Sequence, residues 1–547
     1  MDDLHKHLSI YARRSFMNVK NLAAHPWRSL LIGTLLLTGC GGTEDSQSTN
    51  VQTPPDRSEP PVITALEVTY VDGVLTPSVE CLRCDSDSYQ YVWKAGEEVI
   101  GNDSTYVFNS DESTDGRVRI EVTARDKDNR LASAYSVYQI TEIDEISSNN
   151  SAFAARFTDG SVITWGEDES GGNSSDVDLT SGVVKVVGTA NAFAALKHDG
   201  SVVAWGSNAF GGDTTMVDVS GEVRDLTSND YQFAAVKNDL SVVTWGANPY
   251  PGVSLSGGYQ SIVNTHGAFA ALKNNGSVVT WGLDNFGADS SAVNLLSGVY
   301  LVKPTGSAFA ALKLDGSLLT WGNSNNGGDA SSLNLTGQIT QLYSNSNSYF
   351  AVKRNGSALF WGGNQTPNVD LSSGIRSVYS NLYAFAVVKN DESVVTWGTN
   401  AFDYNYGGDS SSVDFTGGVR HIYPNGFAFA AIKNDGSVVA WGASDSGGQL
   451  GSGIDLSGDV EEIYSTRTAF AAVKSDGSVI TWGQNGGDSQ GVDFSGGIRD
   501  VYSNDYAFAV IKNDGSLVTW GDSNRGGDSS SVSDLFVRSF TLVETSL

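Results

Sequence analysis

One hydrophobic pattern recurs along most of this chain. Residues 428–442 read "AFAAIKNDGSVVAWG", and near-copies stand at 192–206 and 507–521. Each copy predicts three strands joined by short polar turns. Around Trp441 these are "GVRHIYPN" (418–425), "FAFAAIK" (427–433) and "SVVAWG" (437–442), with a shorter fourth candidate at "GIDLS" (453–457). The middle strand does not alternate between apolar and polar. Phe429 and Ala431 point one way and Ala430 and Ile432 the other, so both faces are apolar and both are expected to be buried. Sheets stacked face to face around an axis bury both faces, and alanine suits the crowded inner part of such a stack. The link "KNDGS" reads as a hairpin turn in which Gly takes the positive-φ position. Leu240 and Glu392 replace that Gly in two copies, where a side chain costs about 1 kcal/mol.

The period fixes the class of fold. Trp-Gly pairs begin at Trp165, Trp205, Trp245, Trp281, Trp321, Trp361, Trp397, Trp441, Trp482 and Trp520, at intervals of 40, 40, 36, 40, 40, 36, 44, 41 and 38 residues. All ten copies keep the indole, so these tryptophans are assigned to the core. The expected fold is all-β: a β-propeller-like ring of about ten short blades. A seven-bladed propeller with extra repeats and an open β superhelix are the alternatives. An eleventh copy of the first strand, "LFVRSFTLVE" (535–544), is expected to pair with the first blade or to cap an open stack.

The stretch "AFAALKHDGSVVAWGSNAFGGD" (192–213) resembles the repeat of the regulator of chromosome condensation family, and the resemblance covers residues 140–547. It implies β-propeller blades. That family usually has about seven blades of about fifty residues, so the copy number and repeat length here depart from it. Its Gly-Gln-Leu-Gly appears once, at Gly448–Gly451.

The segment before the repeats has a different character. Residues 1–28 carry five Lys/Arg and two Asp, followed by the short apolar run Leu30–Leu37. That run is too short to span a bilayer, which takes ~20 residues, and it reads as an export signal. Leu37-Thr38-Gly39-Cys40 resembles the bacterial lipobox, which implies lipidation of Cys40 and removal of residues 1–39. Gly41 after the cysteine implies the outer membrane of a Gram-negative cell, with the body facing periplasm or exterior. Residues 40–60 lack large apolar side chains and read as a flexible linker. Residues 61–140 carry "VITALEVTYV", "YQYVWKAGEEVI", "STYVF" and "GRVRIEVTARD", which predict a small β-sandwich with Trp93 in its core. This set resembles the immunoglobulin-like domains of bacterial surface proteins. The ten-repeat domain is placed at 141–547.

Charge and composition narrow the function. The net charge of −29 disfavours nucleic acid as a partner. None of the three cysteines lies in the repeats. Cys81 and Cys84 fit a local disulfide, free thiols or half a zinc site. Asp213, Asp329, Asp409, Asp488 and Asp528 recur in Gly-rich loops, where oxygen ligands suit calcium or simple turns. No other cofactor is expected, and no small-molecule redox cofactor. A lysine column from Lys197 to Lys512 opens the hairpin turns, which suits solvation and pairing with nearby aspartates. No catalytic motif stands out. Phe402, Tyr404 and Tyr406 in one loop, and Tyr250 in another, break the repeat's symmetry and suit contact with sugar or protein. The expected function is a non-catalytic binding or adhesion scaffold, lipid-anchored at a membrane, with a protein or glycan ligand. A polysaccharide-acting enzyme and a structural component of the envelope are the alternatives.

Overall fold

The computed structural model describes residues 59–547 except 72–73, 86, 109–115, 248–252, 334–337, 364–368, 373, 399–404 and 537–538. The Cys40 lipidation site and the loop aromatics Tyr250, Phe402 and Tyr404 lie outside the described residues.

Every repeat folds as one three-stranded antiparallel sheet, giving ten blades among the described residues. Blade 1 comprises Ile143–Ser148, Ala152–Phe157 and Val162–Gly166. Blade 2 comprises Val183–Gly188, Ala192–Lys197 and Val202–Gly206, and blade 10 comprises Ile498–Ser503, Ala507–Lys512 and Leu517–Gly521. The first strand of each blade is innermost, since neighbouring blades touch through these strands. The fourth strand expected at 453–457 does not form. The short link supplies one ladder bond instead: Val438 N–H donates to the Leu456 carbonyl at 2.9 Å, and the Leu456 side chain is buried.

The middle strands are buried on both faces, as their unbroken apolar pattern requires. Ala192, Ala194 and Leu196 pack on Leu226, Phe233 and Trp245 of blade 3. Phe193 and Ala195 face the other way, onto Ala152, Ala154 and Val162 of blade 1. Phe193 pairs directly across strands with Trp205, and the rings stack at 5.4 Å. The same aromatic pair recurs in all ten blades at 4.9 to 5.4 Å. All ten indoles are at most 6% exposed. Each such ring contributes about 1.5–3 kcal/mol by leaving water.

The indole also ties each blade to the one before it. Trp205 Nε1 donates to the Gly171 carbonyl at 3.0 Å, and Trp321 to Gly287 at 3.0 Å. The acceptor must be glycine: Gly171 has φ of 93°, and a Cβ there would meet the Phe193 ring at 2.8 Å. Trp281 and Trp397 break the rule, for their Nε1 atoms have no partner among the described residues. Both end the 36-residue intervals, where four missing residues shorten the loop that carries the acceptor in other repeats.

The ring closes. Ala507, Ala509 and Ile511 of blade 10 pack on Ile143, Ile146, Phe153 and Trp165 of blade 1. Trp165 Nε1 donates to the Gly526 carbonyl at 3.1 Å, the same bond that joins interior blades. A seam with the packing and the indole bond of the interior joints rules out the open superhelix and the seven-bladed alternative.

The N-terminal body is a two-sheet sandwich. Strands β1 (Val62–Val71), β2 (Val74–Leu82) and β5 (Tyr106–Val107) form one sheet. The other contains β3 (Gln90–Ala95), β4 (Glu98–Gly101), β6 (Arg117–Arg125) and β7 (Leu131–Thr141). Trp93 is fully buried between them and stacks on Tyr106 at 5.7 Å. Cys81 and Cys84 are joined as a disulfide at the end of β2. The C-terminal segment requires a correction. Ser539–Ser546 pairs with β7, from Ser539 opposite Thr141 to Ser546 opposite Tyr135, and so belongs to the sandwich. It neither joins blade 1 nor caps a stack, and the repeat domain ends before it. Phe540 stacks on Tyr138 at 4.5 Å, while Phe536, four residues earlier, packs on Phe157 and Trp165 of blade 1. Both chain ends of the ring therefore run into one sandwich.

Leu240 and Glu392 keep the hairpin at φ of 67° and 68°, so the two turns hold their shape at the expected strain.

The unequal indole bonds generate a prediction. Among the described residues, Trp321→Phe removes a buried hydrogen bond and Trp281→Phe does not. In denaturant unfolding, Trp321→Phe is expected to cost about 1 kcal/mol more than Trp281→Phe. Equal losses would show that the glycine acceptor contributes nothing.

Candidate functional site

The first and second strands of each blade meet in a short turn beside the ring axis. The turn tips are Asn150, Ala190, Asp230, His266, Gly306, Ser346, Leu382, Gly426, Arg467 and Asp505. Many are linked tip to tip around the axis. Ala190 N–H donates to the Asp230 carbonyl at 2.9 Å, His266 to Gly306 at 3.0 Å, Gly306 to Ser346 at 2.8 Å and Gly426 to Arg467 at 2.9 Å. Among the described residues the chain is interrupted on both sides of Leu382, in blade 7, and once more between Asp505 and Asn150, at the seam of blades 10 and 1. Blade 7 follows a 36-residue interval and precedes a 44-residue one. Its Gly398 also departs from the left-handed conformation that the other Trp-Gly glycines adopt.

A cavity of about 230 Å³ opens beside this interruption. Its wall is formed by His266, Gly306, Ser307, Asn326, Ser346, Asn347, Leu382, Tyr383 and Arg467. These come from blades 4, 5, 6, 7 and 9, on opposite sides of a ten-blade ring, so the cavity sits at the mouth of the axis. Asn326 Nδ2 donates to Asn347 Oδ1 at 2.7 Å and to the Ser346 carbonyl at 3.2 Å. His266 Nδ1 contacts the Asp230 carboxylate. That hydrogen bond raises the His266 pKa, against burial and the Arg467 charge. Arg467 Nη1 lies 3.2 Å from Asp505 Oδ2. Burial pushes the Asp505 carboxyl up, and Arg467 opposes the shift. His266 and Arg467 are thus each paired with an acid, Asp230 and Asp505, at a neighbouring turn tip.

An aromatic cluster flanks the cavity. Tyr383 lies 5.1 Å from Tyr406 and 5.9 Å from Phe427, and Arg467 covers the Phe427 ring at 5.4 Å. Asn381 Nδ2 donates to the Tyr406 carbonyl at 2.7 Å and fixes the loop to the turn. Of the four loop aromatics singled out from the sequence, Tyr406 is the one described, and it belongs here. His266, Arg467, Tyr383 and the two asparagines were not singled out. His266 and Arg467 each occur once in the turn-tip column, so comparing that column would have found them, whereas Tyr383 shares its position with Tyr231 and Tyr506, and Asn347 with Asn191.

The remaining candidates do other things. Asp213, Asp329, Asp409, Asp488 and Asp528 each accept the backbone N–H two residues on, at 2.8 to 2.9 Å, as turn caps. No group of three His, Cys, Asp or Glu side chains that could hold a metal ion occurs among the described residues. On the opposite face Lys197 reaches Asp178 at 3.4 Å and Lys237 reaches Asp218 at 3.3 Å. In the hairpins Asp199 Oδ1 accepts from Ser201 N at 2.9 Å and from Ser201 Oγ at 2.6 Å, and the pattern recurs around the ring.

No protein-family model matches the chain, and no curated protein aligns with it significantly. Several solved structures are similar in part. The CRINKLY WD40 ectodomain of the receptor kinase ACR4 from Arabidopsis thaliana is 17% identical over 47% of this chain and 96% of its own, with a TM-score of 0.29. Human WBSCR16 is 15% identical over 51% of this chain and 81% of its own, with a TM-score of 0.27. Prp20p from Saccharomyces cerevisiae is 14% identical over 51% of this chain and 82% of its own, with a TM-score of 0.24. The ring assignment stands on strand pairing and blade contacts alone.

The turn aspartates set an acid limit. Hydrogen bonds from serine hold Asp199, Asp239, Asp315, Asp391, Asp435 and Asp476 below their usual 3.8, and bonds from Thr180 take Asp178 to about 2. A carboxyl depressed in the folded state stabilises it fully above its unfolded pKa and ceases to as pH falls through the folded value. The thermal midpoint is expected to be level from about pH 7 to 5 and to drop between about pH 4 and 2. A level midpoint across that lower range would contradict the turn assignment.

Proposed function

We propose that this chain is a non-catalytic recognition scaffold that holds a glycan at the mouth of its ring. One observation supports this reading above the others: the cavity gathers unlike turn residues from five blades beside blade 7, where two successive tip-to-tip bonds are missing among the described residues. A repeat that served only architecture would carry the same residues in every copy. Tyr383, backed by Tyr406 and Phe427, offers an apolar ring face, and Asn326, Asn347, Ser307 and backbone groups offer hydrogen bonds, a combination suited to a sugar's apolar face and hydroxyl rim.

Binding is favoured over glycan cleavage. Glycoside hydrolysis usually employs two carboxyl groups flanking the bond, and the described wall of the cavity carries none. In this reading Cys40 bears a lipid anchor and residues 41–60 tether the body to a bacterial outer membrane. The sandwich lies between tether and ring in the sequence, and its C-terminal strand clasps the ring's last segment.

The test is a glycan array probed with the full chain, beside a pull-down from envelope extracts. Retention of a defined glycan is expected, reduced at least tenfold by the double variant Tyr383→Ala/Phe427→Ala. Capture of a protein with no glycan retained would replace the glycan reading with a protein-binding one.

A further inference from the structure

The chain as a whole is strongly acidic, yet the wall of the axial cavity carries a guanidinium and an imidazole and no carboxylate. Asp230 and Asp505, at the neighbouring turn tips, pair with His266 and Arg467 and are not part of the wall. A guanidinium carries five N–H donors in a planar fork that matches a carboxylate. Among the described residues the hydrogen bond Arg467 makes is from Nη1 to Asp505, at 3.2 Å, and the side chain is 44% exposed. Donors are therefore left for a ligand. The charge pairing with Asp505 is half in solvent, so a second carboxylate can share the fork at modest cost.

Size sets the other limit. Pockets for drug-sized ligands span ~300–1,000 Å³, so about 230 Å³ admits one sugar ring and not a folded oligosaccharide. The Tyr383 and Leu382 side chains supply the apolar side of the wall, and Asn326 and Asn347 supply donors and acceptors.

We propose that the axial cavity binds a carboxylate-bearing monosaccharide unit, such as the uronic acid end of an acidic glycan, with Arg467 and His266 on the carboxylate and Tyr383 against the ring. This rests on the glycan-binding reading above and names its ligand class. The acidic exterior disfavours an acidic polymer everywhere else on the body. The contact is thereby confined to the end of the chain, at the axis.

The test is calorimetric titration of the full chain with four probes: D-glucuronate, D-galacturonate, methyl β-D-glucoside and acetate. At least one uronate is expected to bind saturably, and at least tenfold more tightly than both the neutral glycoside and acetate. Arg467→Gln is expected to lose that preference and Arg467→Lys to recover part of it. Lys197→Gln, on the opposite face, is expected to change nothing. Circular dichroism of each variant checks the fold, and Tyr383→Leu supplies a second variant that leaves the ion pairs untouched. If the neutral glycoside binds as tightly as either uronate, the carboxylate assignment is overturned while the glycan-binding reading stands. If acetate matches the uronates, the ring contacts are overturned. If no uronate or glycoside binds and the array is also blank, both readings fail together.

Discussion

The fold depends on one contact repeated around the ring: a sheet face lined by alanine, with Phe350 in its place at the joint of blades 6 and 7, laid against the aromatic face of the next sheet. Small side chains on one side let the blades converge, and the stacked Phe and Trp rings on the other fill the space. Neither face can be left in water, so a blade is not stable alone and the stack must continue until it meets its own beginning. Blade 10 presents Ala507 and Ala509 to Phe153 and Trp165 as any interior blade does. Closure therefore needs no special joint. The returning C-terminal strand adds a second fastening, because opening the seam would pull Ser539–Ser546 from its pairing with β7.

This division of labour leaves the turns free. The faces and the indole locks consume the second and third strands of every repeat, and substitutions there are resisted by packing. The turn tips beside the axis are joined to one another mostly through backbone groups. They can change side chain without disturbing a blade, and the one cavity described above is built from them. Function on this scaffold is thus a property of the turn column and not of the repeat.

The same division explains what was legible in the sequence. Strand positions, the two-faced burial of "FAAIK" and the core placement of the ten tryptophans follow from a pattern that packing forces on every copy. Strand β2 was hidden because Pro77 interrupts its apolar run, although it pairs across from Val68. The last strand was misread because "FVRSFTLVE" carries the same spacing as a blade's first strand. Its partner is chosen by the sandwich edge and by Phe540 on Tyr138, which a local pattern does not encode. His266, Tyr383 and Arg467 lie in blades 4, 7 and 9, and only ring curvature brings them together. Tyr406 was found because its loop is visibly longer than its counterparts.

Closure by ordinary blade contact is the claim on which the axial site stands, since an open stack has no axis mouth. Ser148 Oγ donates to the Ser503 carbonyl across the seam at 2.9 Å, and Ser503 Oγ donates to Ser465 across the preceding interior joint at 2.7 Å. Spin labels at 148 and 503, and separately at 465 and 503, report the two joints by dipolar broadening. The account predicts the same broadening for both pairs. A seam pair that shows none, beside an interior pair that does, would mean that blades 1 and 10 do not meet.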